Sequence, residues 1–166
     1  MKKLLIISLF IPLISFGQTG REYFESGMSK SELKDYYGAI SDFTKAIELN
    51  SNNRYFYSDR GDAKYELKDY YGAISDYTKA IELSPPNVWY DYGNRGDAKD
   101  ILKDYYGAIS DYTKVIELNP NDGIYYTLRA NSKRNLGNLN DACADWKKAA
   151  ALGYKNAAIY VAKECN

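Results

Sequence analysis

Two aspartates occupy equivalent places in a repeated Arg-Gly-Asp-Ala-Lys unit, Asp62 within residues 60–64 and Asp97 within residues 95–99. Paired carboxylates can do acid and base work, but the other parts of a catalytic set are missing. The chain has no histidine, which removes the usual general base near neutral pH and the commonest metal ligand. No Ser, Thr or Cys has a candidate base beside it, and no glycine-rich phosphate loop occurs. Copying of a near-identical unit explains the recurrence of Asp62 and Asp97 better than a catalytic site does. The same unit contains Arg-Gly-Asp, yet inside a predicted helix with its glycine packed, so it is not read as an adhesion loop. These residues predict no catalytic group, no metal site, no cofactor and no small-molecule substrate.

Cys143 and Cys165 are the two cysteines, both near the C-terminus. Without histidine or further cysteines they cannot make a zinc site. In an exported chain an even count suggests a disulfide, with two separate buried thiols as the alternative. Export is expected from the first residues: Lys2 and Lys3, an apolar run from Leu4 to Phe16, and small residues at Ser15 and Gly17. This pattern resembles a secretory leader over residues 1–17, its apolar run too short to anchor stably in a bilayer, so that no stable membrane span is expected after cleavage; an uncleaved anchor is the rival reading. The expected location is periplasmic or secreted. The charges balance at 22 basic and 22 acidic residues, so no electrostatic footprint for nucleic acid is present.

The residues just named sit on a repeated scaffold. Lys34–Leu49, Lys68–Leu83 and Lys103–Leu118 are near-copies of one another, 34 and then 35 residues apart. A period of that length predicts stacked units that bury their apolar faces against neighbours. The units run 20–53, 54–87, 89–122 and 123–156, followed by a capping helix over 157–165, all within one domain spanning 18–166. Each unit reads as an antiparallel helix pair. Asp35, Asp69, Asp104 and Asn138 are expected to cap the second helices, and Pro85, Pro86 and Pro120 to enforce the turns between pairs.

At this level of detail the chain resembles the tetratricopeptide repeat family. The resemblance rests on Gly27, Gly61, Gly96 and Ala130 in the first helices, Ala39, Ala73, Ala108 and Ala142 in the second, and Phe43, Tyr77, Tyr112 and Trp146 four residues later. Ala46, Ala80, Val115 and Ala149 complete the pattern, and the C-terminal Ala-Ala-x-Leu-Gly wording is weakly similar to Sel1-like relatives. The resemblance implies an all-α, right-handed superhelical solenoid. It also implies a non-catalytic module that binds a peptide or protein segment in its concave groove.

Several residues depart from the family pattern. Gly38, Gly72 and Gly107 fall in the first turn of the second helices, where glycine costs up to about 1 kcal/mol each; one expectation is that they let Tyr37, Tyr71 or Tyr106 lie over the helix start. Arg60, Arg95 and Arg129 replace a usual leucine, and Asp42, Asp76, Asp111 and Asp145 recur on the second helices. The first unit has Ser26 instead of arginine and is the only unit with no predecessor; one repeat after Arg129 stands Lys163. Pairing between repeats is therefore predicted: Asp42 with Arg60, Asp76 with Arg95, Asp111 with Arg129, and Asp145 with Lys163.

Family resemblance places the groove on the first helices. Its residues would be Tyr55, Ser58, Asp62 and Tyr65, then Tyr90, Gly93, Asp97 and Asp100, then Ile124, Thr127, Asn131 and Arg134, with Phe24 and Met28 in the first unit. Aromatic rings among hydrogen-bonding groups suit an extended peptide or a partner helix, against the alternative of a merely solvated face. Ser58 and Gly93 stand where some family members carry the lysine that clamps a carboxylate, so chaperone-tail binding is not expected. Self-association through the ends or the tyrosine-rich faces is the alternative function.

Overall fold

The computed structural model describes residues 19–83 and 88–165; the expected leader and the Pro85-Pro86 turn lie outside them. Over the described residues the chain is all α: α1 (Gly20–Glu32), α2 (Tyr36–Leu49), α3 (Arg54–Glu66), α4 (Tyr70–Leu83), α5 (Trp89–Ile101), α6 (Tyr105–Leu118), α7 (Gly123–Asn135), α8 (Leu139–Ala151) and α9 (Lys155–Glu164). Each helix packs on the next, giving four antiparallel pairs and a final helix laid on α8. The result is an α-solenoid with a C-terminal cap.

Close approach within each pair depends on an aromatic ring over a small residue. A Cβ on Gly27, Gly61 or Gly96 would stand 2.5, 2.8 or 2.7 Å from the ring of Phe43, Tyr77 or Tyr112. Those rings, with Trp146, are buried among Ala39, Ala73, Ala108 and Ala142. Helices cross this tightly only where one side chain is absent.

Within each pair the chain reverses through a residue in the left-handed region. Lys34, Lys68 and Lys103 hold φ of 62°, 63° and 64°, while the fourth pair uses Gly137. The next residue caps the second helix as expected: the side chains of Asp35, Asp69 and Asp104 accept from the N–H of Gly38, Gly72 and Gly107, each at 3.0 Å. This accounts for the three glycines, because a Cβ there would collide with the capping carboxylate. The tyrosines beside them do not lie over the helix starts; Tyr37, Tyr71 and Tyr106 are 78%, 76% and 76% exposed.

The Arg–Asp pairs form within repeats, which corrects the sequence-based expectation. Arg60 donates Nε and Nη2 to Asp76 at 2.9 and 2.7 Å, Arg95 to Asp111 at 2.9 and 2.6 Å, and Arg129 to Asp145 at 2.9 and 2.7 Å. Asp42 is held by Ser26 and Lys30, both at 2.6 Å, and Asp145 is taken by Arg129 and Lys133, leaving no role there for Lys163. An antiparallel hairpin brings residues 16 apart face to face, so an arginine meets the aspartate of its own pair first. Lys64 and Lys99 complete the sets on Asp76 and Asp111 at 2.7 Å.

Repeats are still linked, by the third arm of each guanidinium. Nη1 of Arg60, Arg95 and Arg129 donates at 3.0 Å to the hydroxyl of Thr44, Thr78 and Thr113 on the preceding second helix. Among the described residues no second helix precedes the first unit, where Ser26 stands in place of the arginine. At the last junction Lys147 stands in place of the threonine and Lys163 in place of the arginine. A Cys143–Cys165 disulfide closes that junction instead, as expected from the sequence.

Candidate peptide-binding face

Side-chain bonds join the first helices of successive pairs directly. Ser58 and Arg54 on α3 donate to Asp91 on α5 at 2.6 and 2.7 Å; Asn94 on α5 donates to Asp62 on α3 at 2.9 Å; Ser132 on α7 donates to Asp100 on α5 at 2.5 Å. Arg134 on α7 reaches Glu164 on α9 at 3.2 Å. Among the described residues no hydrogen bond or ion pair joins one even-numbered helix to another. The odd-numbered helices are thus the closely spaced inner layer, and their outward stripe is the concave face.

The predicted groove residues divide into two groups on this face. Tyr55 and Tyr90 stand at the surface, at 56% and 45% exposure, Tyr55 with the Arg54 guanidinium 4.5 Å from its ring centre and Tyr90 with its hydroxyl donated to Asp62. Ser58 is buried on Asp91, Asp100 is tied to Ser132, and Arg134 lies 5.7 and 5.6 Å from the Trp146 and Tyr160 ring centres, bracing the cap. Asn131 accepts from the Trp146 indole at 3.3 Å. These four therefore build the face more than they read a ligand.

Asp62 and Asp97 have a structural duty that explains their recurrence. Tyr77 and Tyr112 donate their buried hydroxyls to them, each at 2.8 Å. The fourth pair matches Trp146 with Asn131, and the first, whose Phe43 has nothing to donate, carries Met28. An acceptor appears only where the packed aromatic has a donor to satisfy. Burial, with the adjoining carboxylates, pushes the Tyr77 and Tyr112 phenols far up.

Between α3, α4 and α5 lies a cleft of about 250 Å³ lined by Asp62, Tyr65, Glu66, Tyr77, Tyr90, Asn94 and Asp97. Burial pushes the Asp62 and Asp97 carboxyls up, partly offset at Asp62 by the bonds from Tyr77, Tyr90 and Asn94. Tyr90, donating to Asp62 at 2.9 Å, is raised to about 12, first by burial and then by that carboxylate. Beside them Asp59 is raised to about 7 by burial and by the charges of Asp62 and Asp91, against the pull of Arg54. The sequence reading missed Asp59, Glu66, Asp91 and Asn94. Asp91, fully buried and holding two repeats together, was signalled only by being an acid in the first turn of a helix.

Asp59 makes a testable contribution to stability. A carboxyl whose folded value lies above its unfolded value binds more protons in the native state, so its penalty grows as pH rises from about 4 to 7. Asp59→Asn should raise stability by about 1–2 kcal/mol at pH 8, allowing for solvent screening at this half-buried position, and by little at pH 4. Urea titrations at the two pH values check this.

The tetratricopeptide repeat model matches residues 23–53, 55–87 and 92–122. The chain belongs to the tetratricopeptide repeat family. Tetratricopeptide repeats are characteristically non-catalytic interaction modules. No characterised protein sequence matches the chain significantly. Among solved structures, MamA from Desulfovibrio magneticus RS-1 superposes with a TM-score of 0.78 at 18% identity, over 90% of this chain and 94% of that one. Another MamA crystal structure gives 0.76 at 23% identity, over 83% and 80%. The first tetratricopeptide domain of Spaghetti (RPAP3), solved bound to the HSP90 peptide SRMEEVD, gives 0.66 at 28% identity, over 72% and 94%. The MamA likenesses show the fold. Among the described residues no group of His, Cys, Asp and Glu is placed to hold a metal, and no helix is long and apolar enough to cross a membrane.

Proposed function

We propose that this tetratricopeptide chain is an exported adaptor of a bacterial envelope that captures a peptide or protein segment on its concave face. The observation that carries the reading is the exposure of Tyr55 on α3 and of Tyr90 on the adjacent inner helix α5, where Tyr90 also lines the α3–α5 cleft. The mechanism is passive. A preformed curved surface lowers the ordering cost of binding, and amphipathic rings supply contact area. The Spaghetti domain holds its peptide SRMEEVD, which supports capture of a short segment by this fold. The acidic middle of the present face argues for a different sequence of segment. Export is supported by the leader-like residues 1–17 and by the disulfide, which persists in oxidising compartments.

Capture from an envelope fraction tests this. A variant combining Tyr55→Ser, Tyr90→Ser, Asp62→Asn and Asp97→Asn keeps an acceptor for Tyr77 and Tyr112, so its helicity should equal that of the parent. It should lose at least nine-tenths of the captured partner. Unchanged capture would move the site to the outer helices. Self-association is the second reading, favoured by the exposed row of Tyr37, Tyr71 and Tyr106; a strict monomer in sedimentation disfavours it.

A further inference from the structure

The cations of this chain are unevenly placed. Lys30, Lys64, Lys99 and Lys133, with Arg60, Arg95 and Arg129, are drawn to Asp42, Asp76, Asp111 and Asp145, and Arg54 is drawn to Asp91. The cleft carboxylates receive none of them. Among the described residues Asp62, Glu66 and Asp97 form no ion pair. Asp62 is served by three neutral donors, and Asp97 by the Tyr112 hydroxyl. An ionised carboxylate offers about four acceptor sites, so Asp97 and Glu66 keep acceptor capacity in a cleft walled by the rings of Tyr65, Tyr77 and Tyr90.

We propose that this cleft receives a lysine or arginine side chain of the bound segment. This inference rests on the concave-face reading above and names the chemistry that face selects. A long apolar stem packs along the phenol rings while its cationic head meets Asp97 and Glu66; aromatic faces and carboxylates attract the same charge. Burial makes the unpaired Asp62 and Asp97 carboxylates costly, and an incoming cation relieves that cost, whereas an acidic segment worsens it. The site is particular to one junction. At the next, Ile101 stands in place of Glu66 and Asn131 in place of Asp97, and at the preceding one Met28 stands in place of Asp62.

Random dodecapeptides displayed on phage and selected on the immobilised full chain provide the probe. Selected peptides should be enriched in Lys or Arg. Resynthesis with norleucine in place of one basic residue should weaken binding about tenfold, with the same loss for the unaltered peptide on a chain carrying Glu66→Gln and Asp97→Asn. Asparagine already serves at the position of Asp97 in the fourth pair, and Glu66 is exposed, so this variant should fold; circular dichroism checks it. Peptides that lose binding with Tyr55→Ser and Tyr90→Ser but show no basic preference overturn the cation site and leave the concave face standing. Peptides indifferent to both sets of substitutions overturn the concave face, and the cation site with it.

Discussion

Asp111→Ala is expected to lower the unfolding free energy by about 3–5 kcal/mol, since it leaves charged partners in a nearly dry place. Asp111 is buried and accepts two bonds from Arg95 and one from Lys99, whose side chains are themselves mostly covered. Arg95 also ties the pair to Thr78 of the preceding repeat. Disordering the guanidinium therefore loosens the junction between the second and third pairs as well as the third pair itself. Replacing all three, with Asp111→Leu, Arg95→Met and Lys99→Met, should recover most of the loss, because a buried ion set adds little net stability over apolar packing. Lys163→Ala should change stability by less than about 0.5 kcal/mol, as a surface substitution away from any buried bond. Urea unfolding of the variants measures each of these. A large loss on Lys163→Ala with none on Asp111→Ala would restore the between-repeat pairing.

Removing the disulfide is the second large effect. Cys143→Ser with Cys165→Ser should cost about 3 kcal/mol on the chain-entropy model for a closed loop of this span, whose cysteines are 22 residues apart. The loss should be local. Stacking of Trp146 on Tyr160 at 5.0 Å, and Arg134 bonded to Glu164, still hold α9 on the array. In a solenoid each unit depends mainly on its neighbours. Amide hydrogens of 155–164 should then exchange faster while those of α1–α6 keep their protection. Loss of protection throughout would mean that the cap sets the stability of the whole array.

The packing of the pairs was readable from sequence because it depends on residue size at a fixed period. Gly61 beneath Tyr77 and Ala73 beside it admit one arrangement, and three copies repeat it. The ion pairs were misread for a physical reason: near-identical copies offer Arg60 identical aspartates at 42 and 76, and sequence alone does not weigh the hairpin against the stack. Ser26 stands where no second helix precedes it among the described residues, and from the second unit on the link to the preceding pair runs through Thr44 and its equivalents, not through Asp42. On the concave face, the family resemblance marks Tyr55 and Tyr90, and the structure leaves both exposed. Ser58, Asp100 and Arg134 share their stripe, yet each bonds across to the next inner helix. Their partners, Asp91, Ser132 and Glu164, lie off the stripe, and the rotation between successive pairs that brings them together is not written in either helix alone.

The docking face itself is tested most directly by hydrogen exchange of the chain alone and with a bound segment selected on it. Slowed exchange along α3 and α5, strongest near Tyr55, Asp62, Tyr90 and Asp97, is the expected result. Slowed exchange confined to α4 and α6, with α3 and α5 unchanged, would contradict capture on the concave face and make the outer tyrosine row the docking surface.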